Sequence, residues 1–295
     1  WQGGKPLTPA AAFPMSSAQQ RMYVLSQLEG GELSCHLSGG WLVEGQLDVE
    51  RLKACGQHVV DRHESLRTGF ELHEDQLIQR VHAEAAFELT RRSGREGEEA
   101  ELLSAFIRPF ALHQPPLVRA EVVELGPARH LLLMDTHHIA LDGISLNVLF
   151  QELMALYQGA ELPPAGVQYR EYVRWQQGFL QSPDCAAQES YWLAKLGGEL
   201  PRLELPLDFH RPKQTMFAGA SYAARHPAEG IRELSRRLHA SPYMVLLSAY
   251  GVLLHKLTGQ DDLIVGTVTS GRHHGEFSRL LGMTATTLPL WLQPK

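Results

Sequence analysis

Apolar residues recur along this chain at two periods, and the switches between them mark out its elements. Residues 15–28 set Met22, Leu25 and Leu28 on one helical stripe behind a Ser16 or Ser17 cap, and Gly30-Gly31 ends the run. A strand is predicted over 35–44. Asp48 then opens a helix that turns Leu52, Cys55, Val59 and Val60 inward. Residues 66–72 and 76–81 pair as a hairpin around His73-Glu74-Asp75. Residues 91–99 read as a charged, solvated loop leading into a helix over 100–107. A strand over 117–125 follows, and behind the Gly126-Pro127 turn the run Arg129 to Met134 reads as a buried strand. Residues 144–157 place Leu149, Leu153, Met154 and Tyr157 at helical spacing until Gly159 stops them. This order implies an α/β layer on a mostly antiparallel or mixed sheet.

After Pro163-Pro164, amphipathic helices are predicted over 169–180 and 188–196, then an irregular, proline-containing crossover over 198–218. A second α/β run follows: a strand over 221–225, helices over 231–239 and 243–257, and strands over 262–268 and 286–292. The helix over 243–257 reads as a buried core helix. The expected organisation is a Gly/Pro/Ala-rich linker tail at 1–14, an N-terminal lobe at 15–178, and a crossover with a partial C-terminal lobe at 179–295. So few strands in that second lobe make the sequence look cut short.

The chain has 295 residues and a net charge of −6, which gives no basic face for nucleic acid. It holds no apolar run long enough to span a membrane and no signal-peptide pattern at its start. Three scattered cysteines, Cys35, Cys55 and Cys185, point to a reducing compartment, hence a cytoplasmic location, without a disulfide framework.

The chemistry concentrates in Asp135-Thr136-His137-His138-Ile139-Ala140-Leu141-Asp142-Gly143-Ile144-Ser145, a strand-to-helix connection. Adjacent side chains on extended backbone point to opposite sides, so one histidine faces a reacting atom and the other the scaffold. A neutral imidazole can accept a proton from an amine. Gly143 allows close approach of the backbone, and the helix start behind it offers N–H groups to a developing oxyanion. Three other roles fit the same residues. Asp142 can cap the helix, either histidine can be a satisfied core residue, and two histidines with a carboxylate can hold a metal, although no further ligand cluster lies nearby.

His137-His138-Ile139-Ala140-Leu141-Asp142-Gly143-Ile144-Ser145 resembles the H-H-x-x-x-D-G-x-S signature of nonribosomal peptide synthetase condensation domains. Ser17-Ala18-Gln19-Gln20-Arg21-Met22-Tyr23 resembles that family's first motif. Arg62-His63-Glu64-Ser65-Leu66-Arg67-Thr68-Gly69-Phe70 matches the second almost throughout, and Tyr169-Arg170-Glu171-Tyr172-Val173-Arg174-Trp175 is similar to the fourth. Residues 260–267 and Gly271-Arg272 resemble the approach to the fifth. The fifth, usually G-x-F-V-N-T, departs here to Gly282-Met283-Thr284-Ala285-Thr286-Thr287, so Thr, Ala and Thr stand for Phe, Val and Asn.

The resemblance implies a two-lobed chloramphenicol-acetyltransferase-like fold whose second lobe is incomplete in this chain. It implies a tunnel between the lobes entered from opposite faces by two peptidyl carrier domains, upstream and downstream, beside an adenylation domain. The substrates arrive as thioesters on phosphopantetheine arms, so the domain binds no cofactor or metal of its own. By the same resemblance His138 assists amide formation, His137 faces the scaffold, and the Gly143 N–H is the oxyanion donor. Asp142 pins the loop by pairing with Arg67 or Arg62, and Ser145 caps the helix or contacts the arm. The stretch looks closest to the type that joins an L-configured donor to an L-configured acceptor. The alternatives are an epimerization domain, which usually has Trp where Leu146 stands, and a catalytically inactive carrier-docking module.

Overall fold

The computed structural model describes residues 12–212, 216–217 and 219–294. The chain divides into two compact units, Trp1–Ser182 with Ser270–Ala285, and Pro183–Thr269 with Thr286–Lys295. Of the expected linker tail, residues 1–11 lie outside the described residues. Ala12–Pro14 form a short strand, β1, rather than a linker.

In the first unit β1 is followed by α1 (Ser17–Ser26), started by a reciprocal capping box between Ser16 and Gln19. Its inner side differs from the predicted stripe. Ala18, Gln19 and Ser26 are buried while Leu28 is exposed, because the side chains of Gln19 and Gln79 hydrogen-bond each other beneath the helix. Strand β2 (His36–Glu44) and helix α2 (Val49–Arg62) lie where expected, and Asp48 caps α2 by accepting from the Arg51 N–H. Strands β3 (Thr68–His73) and β4 (Gln76–Val81) form the hairpin. Its turn is two residues, Glu74-Asp75, both at positive φ, which suits the twist of the flanking strands.

Residues 88–93, partly assigned to a solvated loop, instead form β5 (Glu88–Ser93), parallel to β6 (Val118–Gly126). Helix α3 (Glu99–Phe106) lies between them in sequence. Arg92 of β5 pairs with Glu121 at 2.6 Å and Arg91 with Glu124, so the charges that suggested a loop are cross-strand ion pairs on an edge strand. Strand β7 (Arg129–His137) pairs antiparallel with both β6 and β2, giving a mixed sheet in the order β2-β7-β6-β5, while β1-β4-β3 form a second sheet. Helices α4 (Gly143–Tyr157) and α5 (Tyr169–Leu180) complete the unit. Val59, Val60, Leu66, Phe70, Val118, Met134, Ile139, Leu141 and Leu149 meet in one core. Met154, expected in the inner stripe of α4, is exposed; Val148 and Glu152 take its place.

The second unit contains α6 (Pro183–Leu196), α7 (Glu229–Leu238), α8 (Pro242–Thr258), β8 (Leu263–Thr269) and β9 (Thr286–Leu292), the last two paired antiparallel. Residues 221–225, expected as a strand, are irregular and exposed. Helix α8, expected as a buried core helix, buries only Gly251 and Leu254, because one small two-stranded sheet covers one side of it. Among the described residues no helix is long and apolar enough to cross a membrane.

Candidate functional site

His137 is the last residue of β7, and the chain turns immediately after it: the Ala140 N–H donates to the His137 carbonyl at 3.0 Å. The two histidines therefore part company. His137 is 1% exposed, and its Nδ1 accepts from the Ile139 N–H at 3.1 Å, so its own ring proton sits on Nε2. Burial, with His36 and His138 beside it, pushes its pKa down to about 4, and it stays a neutral ring at neutral pH.

His138 is partly exposed. Its N–H donates to the Cys35 carbonyl at 2.7 Å, which fastens the turn to the start of β2. Its Nδ1 lies 2.9 Å from the Leu141 carbonyl. A carbonyl can only accept, so Nδ1 carries the proton and Nε2 presents a lone pair. The Gln19 Nε2 reaches the Ile139 carbonyl at 3.4 Å, which ties the first motif to the same turn. Gly143 is exposed and opens α4; as the first helical residue its N–H has no intrahelical acceptor, and the space around its Cα is open.

Asp142 is the N-cap of α4, accepting from the Ser145 N–H at 2.8 Å. The residue expected to pair with Arg67 or Arg62 pairs with neither. Arg62 is held by Glu152 at 3.2 Å and by the Pro163 carbonyl, and Arg67 by the carbonyls of His82 and Ala83. Arg62 thus serves α4 and the segment after it, and Arg67 the segment after β4. The partner is Arg272, 2.7 Å away, with Thr284 donating from its N–H at 3.2 Å and its hydroxyl 2.8 Å from Asp142 Oδ2. Burial alone would raise the Asp142 carboxyl, but the Arg272 guanidinium and the hydrogen bonds from Ser145 and Thr284 hold it below the ordinary carboxylate value.

Ser145 does not cap α4. It is fully buried, and its hydroxyl accepts from Arg272 at 2.9 Å and from the Gly282 N–H at 3.0 Å. So a loop distant in sequence closes over the start of α4. Two glycines permit this closure. A Cβ on Gly282 would lie 1.8 Å from the Tyr169 ring, and one on Gly271, at φ +66°, would lie 2.0 Å from the Thr284 carbonyl. The Tyr169 hydroxyl in turn donates to the Met283 carbonyl at 2.5 Å. The departure at Thr284 from the usual Phe thus puts a hydroxyl against the buried carboxylate.

Neither the pairing of Arg272 with Asp142 nor a second buried carboxylate, Asp135, was among the expectations from sequence. Asp135 accepts from Ser38 at 2.8 Å, from His36 Nδ1 at 2.9 Å and from Arg119 at 2.5 Å. Burial alone would raise it, but the hydrogen bonds from His36 and Ser38 and the Arg119 guanidinium hold it below its ordinary value. Alternation along β7 puts Asp135 on the same face as His137, and that was the available signal. Of the histidines given a packing role, His63 is buried with Nε2 2.7 Å from Glu152 Oε2, and His274 packs edge-on against Trp175.

A family model described as Condensation domain matches residues 10–295. Over 293 residues the chain is 43% identical to tyrocidine synthase 2 of Brevibacillus parabrevis, covering 98% of this chain and 8% of that protein. It is 37% identical over 294 residues to gramicidin S synthase 2 of Brevibacillus brevis, covering 99% of this chain and 7% of that protein. The chain thus spans less than a tenth of these curated relatives. Among solved structures it is similar to the condensation domain from the monacolin K polyketide synthase MokA, with TM-score 0.83, 24% identity, and coverage of 97% of this chain and 68% of that chain. It is also similar to the X-domain from teicoplanin biosynthesis, with TM-score 0.84, 27% identity, and coverage of 98% and 67%.

Proposed function

This chain belongs to the condensation-domain family, and from that premise we propose that it forms amide bonds in nonribosomal peptide synthesis, between a donor acyl thioester and an acceptor aminoacyl thioester. Both substrates are carried on the phosphopantetheine arms of upstream and downstream carrier domains, beside an adenylation domain, in the cytoplasm. The domain contributes no cofactor of its own.

The observation that carries this reading is His138. Its Nδ1–H is committed to the Leu141 carbonyl, its ring is partly exposed, and its Nε2 offers a lone pair. The acceptor amine attacks the donor thioester carbonyl while His138 Nε2 takes the amine proton. The C–N bond forms, the C–S bond breaks, and the proton passes to the departing thiolate. The Gly143 N–H, free at the start of α4, stabilises the oxyanion of the tetrahedral intermediate. Alignment of the two arms supplies on the order of 7–11 kcal/mol of the barrier lowering, and the imidazole about 10²–10⁴-fold in rate. His137, neutral and buried, holds the turn. Asp142, Ser145 and Arg272 hold the start of α4.

The test is amide formation by His138→Ala with both carriers loaded. A fall of about 10²–10⁴-fold is expected, and an unchanged rate overturns the assignment. The same assay run with L- and D-configured donors checks the L-donor, L-acceptor reading, which predicts turnover of the L-donor. The likeness to an X-domain supports one rival, a carrier-docking module without chemistry. On that reading the native chain binds loaded carriers but releases no amide product.

A further inference from the structure

A small cavity of about 240 Å³ opens between α5 and the segment that closes over the start of α4. Trp175 lines it from α5. His274, Gly275, Glu276 and Phe277 line it from a one-turn 3-10 helix, Gly275–Phe277, and the residue before that turn. Pockets that enclose drug-sized ligands measure roughly 300–1,000 Å³, so a space of this size suits a single side chain.

Three rings line the cavity as a corner rather than a flat stack. His274 meets Trp175 at 83° with centroids 5.2 Å apart, and Phe277 at 85° and 5.7 Å; Phe277 crosses Trp175 at 60° and 5.5 Å. Phe277 is fully buried and Trp175 half-buried, while His274 and Glu276 are exposed. The turn is fixed from behind. Arg272, whose Nη2 meets Asp142, donates from Nη1 to the Phe277 carbonyl at 3.2 Å and to the Leu280 carbonyl at 2.8 Å. A preformed site of this kind lowers the ordering cost of binding.

Charge then selects the occupant. His274 and Glu276 are the only ionisable residues of the lining, and Glu276 enters no ion pair among the described residues. Both arginines of the closing segment are engaged elsewhere, Arg272 with Asp142 and Arg279 with Gln151 and Glu152. A carboxylate beside aromatic rings attracts a cation. Lysine and arginine both carry an apolar stem and a positive head, and the planar guanidinium also stacks on aromatic faces.

We propose that this cavity is a docking site for an arginine side chain presented by a neighbouring protein domain, its guanidinium set against the rings and paired with Glu276. A domain held there grips the same segment that Arg272 ties to Asp142. The inference goes beyond the proposed reaction and does not depend on it.

The test uses the native chain with ¹⁵N-labelled tryptophan, the Trp175 indole signal being assigned from a Trp175→Phe variant. Two blocked tripeptides serve as probes: acetyl-Gly-Arg-Gly-amide, and the same peptide with citrulline, which keeps the shape of arginine without its charge. The arginine peptide should shift the Trp175 signal saturably, and the citrulline peptide should bind about three- to thirty-fold more weakly. Glu276→Gln should weaken the arginine peptide about two- to five-fold, the scale of one exposed charge pair, and leave the citrulline peptide unchanged. Glu276→Asp keeps the charge and should retain most of the binding. An unmoved Trp175 signal, equal affinity for the two peptides, or arginine binding indifferent to Glu276→Gln overturns the proposal. Because the readout is binding, a chain that forms no amide sinks the proposed reaction and leaves this test intact.

Discussion

Two buried carboxylates bracket the histidine pair, and they are held in different ways. Asp135 is gripped by residues of neighbouring strands, His36 and Ser38 on β2 and Arg119 on β6, whose places follow from strand register. Asp142 is gripped by Arg272 and Thr284, more than a hundred residues away, on a segment that folds back over α4. Each carboxylate has an arginine and a hydroxyl within hydrogen-bond reach, and each is held below its ordinary pKa. Similar chemistry thus rests on strand pairing at one end of a turn and on long-range closure at the other. The helix side depends on the closing segment for its charge partner; the sheet side does not.

The largest break should come at the long-range side. Arg272→Ala leaves Asp142 charged and buried without its partner, a change that typically costs about 3–5 kcal/mol. Denaturant unfolding should show that loss, and a stability within experimental error of the native protein would show that the closure contributes nothing. Next in size is an acid effect centred between the two carboxylates. The folded pKa of His137 is about 4, against about 6.5 for a free histidine, so the unfolded chain binds a proton that the folded chain refuses. Stability should therefore be full above about pH 6.5 and fall by roughly 3 kcal/mol as the pH drops toward 4. Below that, Asp135 and Asp142 add their own loss, since their depressed values make stability fall as the pH passes down through each folded pKa. A flat stability profile between pH 6.5 and 4 in the native protein would sink the His137 part. The smallest effect sharpens the contrast. Thr284→Val keeps the shape but removes one hydroxyl from Asp142, and should cost about 1–3 kcal/mol by leaving that carboxylate partly unsatisfied. The loss should shrink in the Arg272→Ala background, because the two groups share one acceptor.

Much of the first unit was legible from residue order. The apolar period located β2, α2, β6, α4 and α5, and the caps at Ser16, Asp48 and Asp142 stood where short polar side chains precede an apolar run. The histidine pair was legible as well, because a strand end forces adjacent side chains apart. Charge misled at β5, where Arg91 and Arg92 read as the start of a loop although a parallel neighbour supplied glutamates within ion-pair reach. Apolar content misled at α8, where a run as hydrophobic as that of α4 is covered on one side only.

What residue order determined by itself was most of the elements of the first unit, the family signature and the splitting of His137 from His138, since these follow from backbone periodicity and from neighbours a few positions apart. Tertiary structure alone decided which guanidinium meets Asp142, that His36 and Asp135 stand behind His137, and that Ser145 and Gly282 lock the start of α4. Those contacts join positions about 100 to 140 residues apart, and no local pattern encodes them. A buried charge accepts whichever partner the packed chain delivers to it, and Arg62 and Arg67 of the second motif were already bound, to Glu152 of α4 and to the His82 carbonyl.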